Sequence, residues 1–321
     1  MSAPIEASGL VRRFGDVLAV DGVDLAVQDG EVFGFLGPNG AGKSTVVRML
    51  TTLLRPSAGT ARVAGFDVVE EAPMVRRSIG VALQDAAIDP LMTGRELLRL
   101  QSILHGIPRR EAADRGEELL ARVGLTAAGD RRVGTYSGGM RRRLDLALSL
   151  VHQPKVLFLD EPTTGLDPMS RISLWEEVRK LNDSGTTVLL TTQYLEEADQ
   201  LASRIAIIDQ GRIVRRGTPT ELKDQLGSPT LEVDVGAGQE DAARAAVAGL
   251  GEPRAERGGG ICIGLPQGAS EMAGVVRALD DAGIEVERVE LHQPSLDDVF
   301  ADATGRRLEG AEDTEAAGAT P

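Results

Sequence analysis

Nine consecutive residues, Gly37-Pro38-Asn39-Gly40-Ala41-Gly42-Lys43-Ser44-Thr45, have the spacing G-x-x-x-x-G-K-[ST]. That pattern binds phosphate. Its glycines let backbone N–H groups turn inward around an anion, and the helix expected to follow points its unpaired N–H groups at the same charge. Lys43 would reach the β- and γ-phosphates, and the Ser44 hydroxyl would ligate Mg²⁺. The apolar run Val32-Phe33-Gly34-Phe35-Leu36 supplies the strand before the loop, and residues 46–54 supply the helix after it. With strand, lysine, hydroxyl and helix all present, the chain is expected to bind a nucleoside triphosphate. It contains only four lysines, Lys43, Lys155, Lys180 and Lys223. One of them stands where a slim point charge must fit beside a phosphate.

A second group of residues completes such a site. Val156-Leu157-Phe158-Leu159 is a buried-strand run that ends in Asp160-Glu161. Asp160 would face Mg²⁺ from the carboxyl end of the strand, and Glu161 is the candidate base that polarises the attacking water. Read alone, Asp-Glu at a strand end is ordinary solvated chain; after a P-loop in the same sheet it is half of a nucleotide site. Further along, Tyr136-Ser137-Gly138-Gly139-Met140 offers a serine able to cap the next helix and two glycines that expose backbone N–H groups. This makes a second anion cradle. Read alone, it is an ordinary helix cap.

These residues need a framework. Residues 5–31 alternate apolar and polar around turns at 14–16 and 28–30, as antiparallel strands do. A turn at 55–59 and a short strand at 60–64 follow, then a buried strand at 79–83. Residues 93–123 read as helix, broken near Gly106-Ile107-Pro108, and 141–151 as a further helix. Buried-strand runs return at 156–159, 187–191 and 204–209, separated by helical stretches. The whole is a wound, mainly parallel α/β sheet with an antiparallel β subdomain and a helical insertion at about 85–152. Gln210-Gly211 reads as a hairpin turn, and Thr218-Pro219-Thr220-Glu221 as a helix start with a capping box. Gly227-Ser228-Pro229 is the expected boundary, giving domains at 5–227 and 228–303. The second, with strands near 231–235, 253, 261–265 and 284–291 and helices at 241–250 and 270–282, reads as a small α+β module of βαββαβ type. Residues 304–321 are acidic and rich in Ala and Gly, a composition expected to be disordered.

Taken in order, the motifs resemble those of ATP-binding-cassette (ABC) ATPases, with Tyr136-Ser137-Gly138-Gly139-Met140 similar to the Leu-Ser-Gly-Gly-Gln signature. The resemblance covers residues 5–225 and implies the P-loop ABC fold, ATP with Mg²⁺, and hydrolysis to ADP and phosphate. It implies that Gln84 is the Q-loop glutamine, contacting Mg²⁺ or water. Phe14 sits where the family stacks an aromatic on adenine, the alternative being a core aromatic. Gly165-Leu166-Asp167 is similar to the D-loop, and Leu190 to Asp199 to the switch segment. It further implies that a second copy of the chain supplies the signature in trans, in a head-to-tail dimer. Two departures stand out. Tyr136 and Met140 replace the usual Leu and Gln of the signature, and Gln193 replaces the switch histidine. Glutamine can hydrogen-bond a γ-phosphate but cannot become cationic.

Those departures, with the Thr191-Thr192-Gln193-Tyr194-Leu195 segment and the closing Gln293-Pro294-Ser295-Leu296-Asp297-Asp298-Val299-Phe300, resemble the ATP-binding subunits of daunorubicin/doxorubicin-resistance exporters. Such subunits serve a separate integral-membrane permease. The closing segment mixes apolar residues and carboxylates, as a docking helix would or as a helix packed on its own small domain would. The Arg141-Arg142-Arg143 run reads as a solvated or dimer-facing helix start.

Composition sets the bounds. Of 321 residues, 42% are hydrophobic and 26% charged, as in globular proteins. No apolar run approaches the roughly 20 residues that cross a bilayer. Residues 1–13 lack the apolar stretch of a signal peptide, and the single Cys262 fits a reducing compartment. The expected location is therefore the cytoplasmic face of the membrane, beside the permease. A formal net charge of −14 argues against a nucleic-acid partner. His105, His152, His292 and Cys262 lack metal-ligand spacing, so no structural metal is expected. Two other readings stay open: a non-transport ABC ATPase, and a slow-hydrolysing nucleotide-dependent clamp in which Gln193 limits turnover.

Overall fold

The computed structural model describes residues 3–83, 88–236, 238–254, 260–266 and 268–306. The N-terminal strands β1 (Ile5–Phe14) and β2 (Val17–Val27) pair antiparallel through the tight turn at Gly15. β3 (Val32–Leu36) is buried along its whole length and leads through the P-loop into α1 (Lys43–Leu50). The helix stops four residues before the expected end, because Thr52 turns to a φ of +66°. β4 (Ala58–Val63) pairs with β1, and β5 (Phe66–Asp67) with β4, closing an antiparallel sheet of order β2-β1-β4-β5. A short helix, α2 (Ala72–Ser78), comes before β6 (Ile79–Ala82). Neither β5 nor α2 carries a sequence period long enough to be read, and neither was expected.

The helical insertion contains α3 (Gly94–Leu104), α4 (Arg109–Arg122) and α5 (Gly138–Ser149). α3 opens on a reciprocal capping box between Thr93 and Glu96. α5 begins three residues earlier than expected, because Ser137 caps it. Beyond it come β7 (Val156–Asp160), α6 (Pro168–Asp183), β8 (Thr187–Thr192), α7 (Leu195–Leu201), β9 (Arg204–Asp209) and β10 (Arg212–Gly217). Among the described residues the central sheet runs β10-β9-β3-β8-β7-β6, parallel apart from the β9–β10 hairpin at Gln210-Gly211.

The two-residue strand period divides the core. Val156 and Phe158 of β7 and Leu189 of β8 join a cluster with Ile5, Leu10, Val47 and Met49 on the antiparallel side. Their neighbours Leu157, Leu159, Val188 and Leu190 join the opposite cluster with Leu98, Leu119, Leu144 and Trp175. Continuous apolar strands are what a parallel sheet covered on both faces requires. The arrangement leaves the carboxyl ends of β3, β7 and β8 side by side at one edge.

The chain divides into two compact units, with the break between Pro219 and Thr220. The expected boundary at 227–229 thus falls inside the second unit, because α8 (Pro219–Asp224) groups with the chain that follows it. There β11 (Thr230–Val235), α9 (Glu240–Ala246), β12 (Glu252–Pro253), β13 (Ile261–Gly264), α10 (Ala269–Asp281) and β14 (Val286–His292) form an antiparallel sheet of order β12-β13-β11-β14. Leu231, Val233, Ile261, Ile263, Val275 and Leu279 fill its core. The last described helix is α11 (Leu296–Thr304). Its Leu296, Val299 and Phe300 are buried within this chain, so the helix offers no free apolar face of the kind a docking helix would present. The expected tail falls almost wholly at 307–321, outside the described residues.

Candidate nucleotide site

The P-loop is shaped by close packing. Gly42 precedes α1 at a φ of +108°, and a Cβ there would come within 2.6 Å of the Ala19 carbonyl. A Cβ on Gly37 would lie 2.3 Å from the Ile208 carbonyl. Only glycine fits either place. Lys43 is buried at the first turn of α1, where its ammonium donates to the carbonyls of Gly37 (2.7 Å) and Pro38 (3.1 Å). The same ammonium lies 3.3 Å from Glu161 Oε1. Burial lowers the Lys43 pKa, and Glu161 and Asp160 oppose the shift.

Strand register brings the acidic residues to this lysine. β7 and β8 pair so that Asp160 faces Thr191, and β3 and β8 so that Leu36 faces Thr192. Thr191 Oγ1 donates to Asp160 Oδ1 at 2.5 Å, and Ser44 Oγ donates to the same oxygen at 3.1 Å. The Asp160 carboxylate and the Ser44 hydroxyl are hard oxygen donors of the kind Mg²⁺ takes. Glu161 is a non-glycine residue at a φ of +48°, a conformation that costs on the order of 1–3 kcal/mol. Its N–H is held by the Thr191 carbonyl (3.1 Å) and by Thr191 Oγ1 (3.0 Å). Thr164 Oγ1 donates to Glu161 Oε2 at 3.3 Å. Gln193 follows β8 directly and is half-buried at the same edge. Among the described residues, no group of three or more His, Cys, Asp or Glu could hold a metal.

The other expected residues divide. Phe14 is 46% exposed with the Arg12 guanidinium 4.5 Å over its ring, which sets aside the core-aromatic alternative. Gln84 lies outside the described residues. Ser137 and Gly138 are exposed at the start of α5, and Ser137 Oγ accepts the Met140 N–H at 3.2 Å. Tyr136 is different: it is buried, its hydroxyl donating to the Ala128 carbonyl at 2.7 Å, so its ring anchors the segment rather than lining a cradle. Gly165 has a φ of +74°, Leu166 packs against the helical-side core, and Asp167 caps α6. The Asp167 carboxylate accepts from the Ser170 hydroxyl (2.6 Å) and N–H (3.0 Å), bonds that lower its pKa.

The arginine run, expected as a solvated or dimer-facing helix start, does not form one continuous surface. Arg141 is exposed, but Arg143 turns inward to the Val123 carbonyl (2.9 Å), and Arg142 reaches the Asp160 carbonyl (2.7 Å). Successive helix positions differ by about 100°, so three adjacent arginines cannot share one face. Thr191 and Arg142 are the contributors to the site that motif reading missed.

A cavity of about 460 Å³ opens beside Glu161, lined also by Gly138, Arg141, Arg142, Asp145 and Thr164. Residues 20–164 match the family model described as ABC transporter, and 217–304 match one described as ATP-binding protein DrrA1-3-like, C-terminal domain. The chain is 50% identical over 317 residues to the daunorubicin resistance ATP-binding protein DrrA2 of Streptomyces coeruleorubidus, covering 98% of each chain. The chain belongs to the ABC transporter ATP-binding family. It is also 34% identical over 308 residues to the linearmycin resistance ATP-binding protein LnrL of Bacillus subtilis, covering 95% of this chain and 99% of the other. Among solved structures, the cassette resembles a dimeric structure of a post-hydrolysis state of the ATP-binding cassette MJ0796 bound to ADP and Pi. That match has a TM-score of 0.62 and 25% identity, and covers 67% of this chain and 98% of the other. The chain is thus an ABC-type ATPase subunit of a nucleotide-binding family.

Proposed function

We propose that this ATPase energises a separate membrane permease that exports a drug, an antibiotic or another lipophilic natural product. Support comes from relatives similar along nearly their whole length, accessory unit included, that are named for resistance to such compounds. No described helix is long and apolar enough to cross a membrane, so the translocation path would belong to another chain, with this one peripheral on the cytoplasmic face. The non-transport alternative has no counterpart in those names.

The observation that carries the chemistry is the convergence of Lys43, Ser44, Asp160 and Glu161 at one sheet edge. ATP would lie along the P-loop with its adenine on Phe14, and Lys43 would exchange its loop carbonyls and Glu161 for the β- and γ-phosphates. Ser44, Asp160 and Gln84 would hold Mg²⁺, which neutralises charge developing on the phosphates. Freed of Lys43, Glu161 would orient water toward the γ-phosphorus and take its proton. Gln193 would donate its amide N–H to a γ-phosphate oxygen. The bond from the γ-phosphorus to the bridging oxygen then breaks, leaving ADP and phosphate.

A second copy of the chain, head to tail, would close the site by presenting Ser137, Gly138, Gly139 and Met140 to the γ-phosphate, and Gly165-Leu166-Asp167 would meet the opposite subunit. The test is Ser137→Arg. It should leave ATP binding intact and abolish hydrolysis, as well as efflux in cells that also express the permease. Equal loss of binding and turnover would overturn the trans arrangement.

A further inference from the structure

Arg142 of α5 sits at the meeting point of three segments. Its Nε donates to the Pro162 carbonyl at 2.9 Å and its Nη2 to the Asp160 carbonyl at 2.7 Å. Its Nη1 donates to the Leu83 carbonyl at 2.6 Å and to Asp145 Oδ2 at 3.2 Å. The two carbonyls of β7 and its extension flank Glu161 on either side. The third belongs to the residue just before Gln84. The Arg142 side chain is only 13% exposed, and burial lowers its pKa against the opposing pull of Asp145.

Glu161 holds an unfavourable backbone conformation, and such strain persists only where the surroundings over-determine it. Its N–H is fixed by Thr191, and the carbonyls before and after it are fixed by one guanidinium. Resting on the reading of Glu161 as the water-orienting base, we infer that Arg142 is a positioning residue that sets the aim of the Glu161 carboxylate and ties it to the helix carrying the signature. A planar fork with five donors can bridge these acceptors at once, which a lysine point charge cannot. The link also gives signature engagement a direct route to the base. Movement of α5 is transmitted to the peptide unit that precedes Glu161 and to the Pro162 carbonyl one residue beyond it, through bonds of 2.7 and 2.9 Å.

The experiment compares Arg142→Lys and Arg142→Gln with the wild type and with Glu161→Gln, in the full chain. Nucleotide affinity is read with a fluorescent ATP analogue, steady-state kcat and KM by phosphate release, dimerisation with ATP by light scattering, and folding by thermal melt. Both Arg142 variants should lower kcat by about tenfold or more, with affinity and KM changed less than about threefold. They should also accumulate an ATP-bound dimer, as Glu161→Gln does. Lysine should not restore the rate.

Wild-type kcat in Arg142→Gln while Glu161→Gln stalls would overturn the inference alone. So would loss of affinity and folding in step with kcat in both Arg142 variants, which would make the residue a structural strut. If Glu161→Gln itself turns over normally, the underlying reading of Glu161 fails instead.

Discussion

Thr191 offers a sharp test of how the site is built, because one hydroxyl serves both acidic residues. It donates to Asp160 Oδ1 at 2.5 Å and accepts the Glu161 N–H at 3.0 Å, in a residue with no exposed surface. Thr191→Val keeps the shape and removes both bonds. A hydrogen bond to a charged group contributes about 1.5–3 kcal/mol, and the Glu161 N–H keeps its second acceptor, the Thr191 carbonyl. The added buried methyl returns up to about 0.8 kcal/mol. The net loss is about 1–2 kcal/mol, or about 2–8 °C in Tm for a unit of this size. Thr191→Ser loses a buried methyl and a comparable amount of stability, yet keeps the hydroxyl. The two variants should therefore melt within a few degrees of each other and differ in chemistry, with kcat reduced about tenfold or more only in the valine variant. Melting is followed by calorimetry, and turnover by phosphate release at saturating ATP. Equal kcat in the two variants would refute the idea that this hydroxyl organises Asp160 and Glu161.

Two further predictions concern Gln193 and His152. Gln193→Ala should lose a γ-phosphate bond of about 1.5–3 kcal/mol, roughly ten- to a hundredfold in kcat, whereas Gln193→His should preserve turnover and give it a titration step near pH 6–7. Alanine with wild-type turnover would show that Gln193 is no switch and revive the slow-clamp reading. His152 stacks on His105 with ring centroids 3.9 Å apart, and burial, with a smaller part from His105, lowers its pKa from 6.5 to about 4. A base depressed on folding contributes stability that is complete above its unfolded pKa of 6.5 and is lost as pH falls through 4. Chemical denaturation across pH 6.5 to 4 should show a shallower loss for His152→Gln than for wild type, and identical slopes would contradict it.

The site was legible where its chemistry is local. The P-loop, the β7 end and the signature each lie within a few consecutive residues, and strand burial places the first two at one edge. What stayed hidden depends on pairing or on helical phase. Thr191 matters because β7 and β8 register it against Asp160, a relation absent from either strand read alone. Arg142 looked like one of three surface charges until the turn of α5 separated their directions. His105 and His152 carry no metal spacing, yet the end of α3 and the turn after α5 stack them face to face. The accessory unit announced its strand and helix alternation, but not that α8 would group with it or that the apolar residues of α11 would be covered.

The central claim is that Glu161 performs the chemistry in a site completed by a second copy of the chain. It is tested most directly by the oligomeric state of Glu161→Gln with and without ATP, measured by light scattering alongside phosphate release. The substitution keeps size and hydrogen bonding and removes the carboxylate that takes the proton. The account predicts a dimer that forms only with ATP, retains unhydrolysed ATP and does not turn over. A variant that hydrolyses ATP at the wild-type rate, or that binds ATP and stays monomeric, would contradict it.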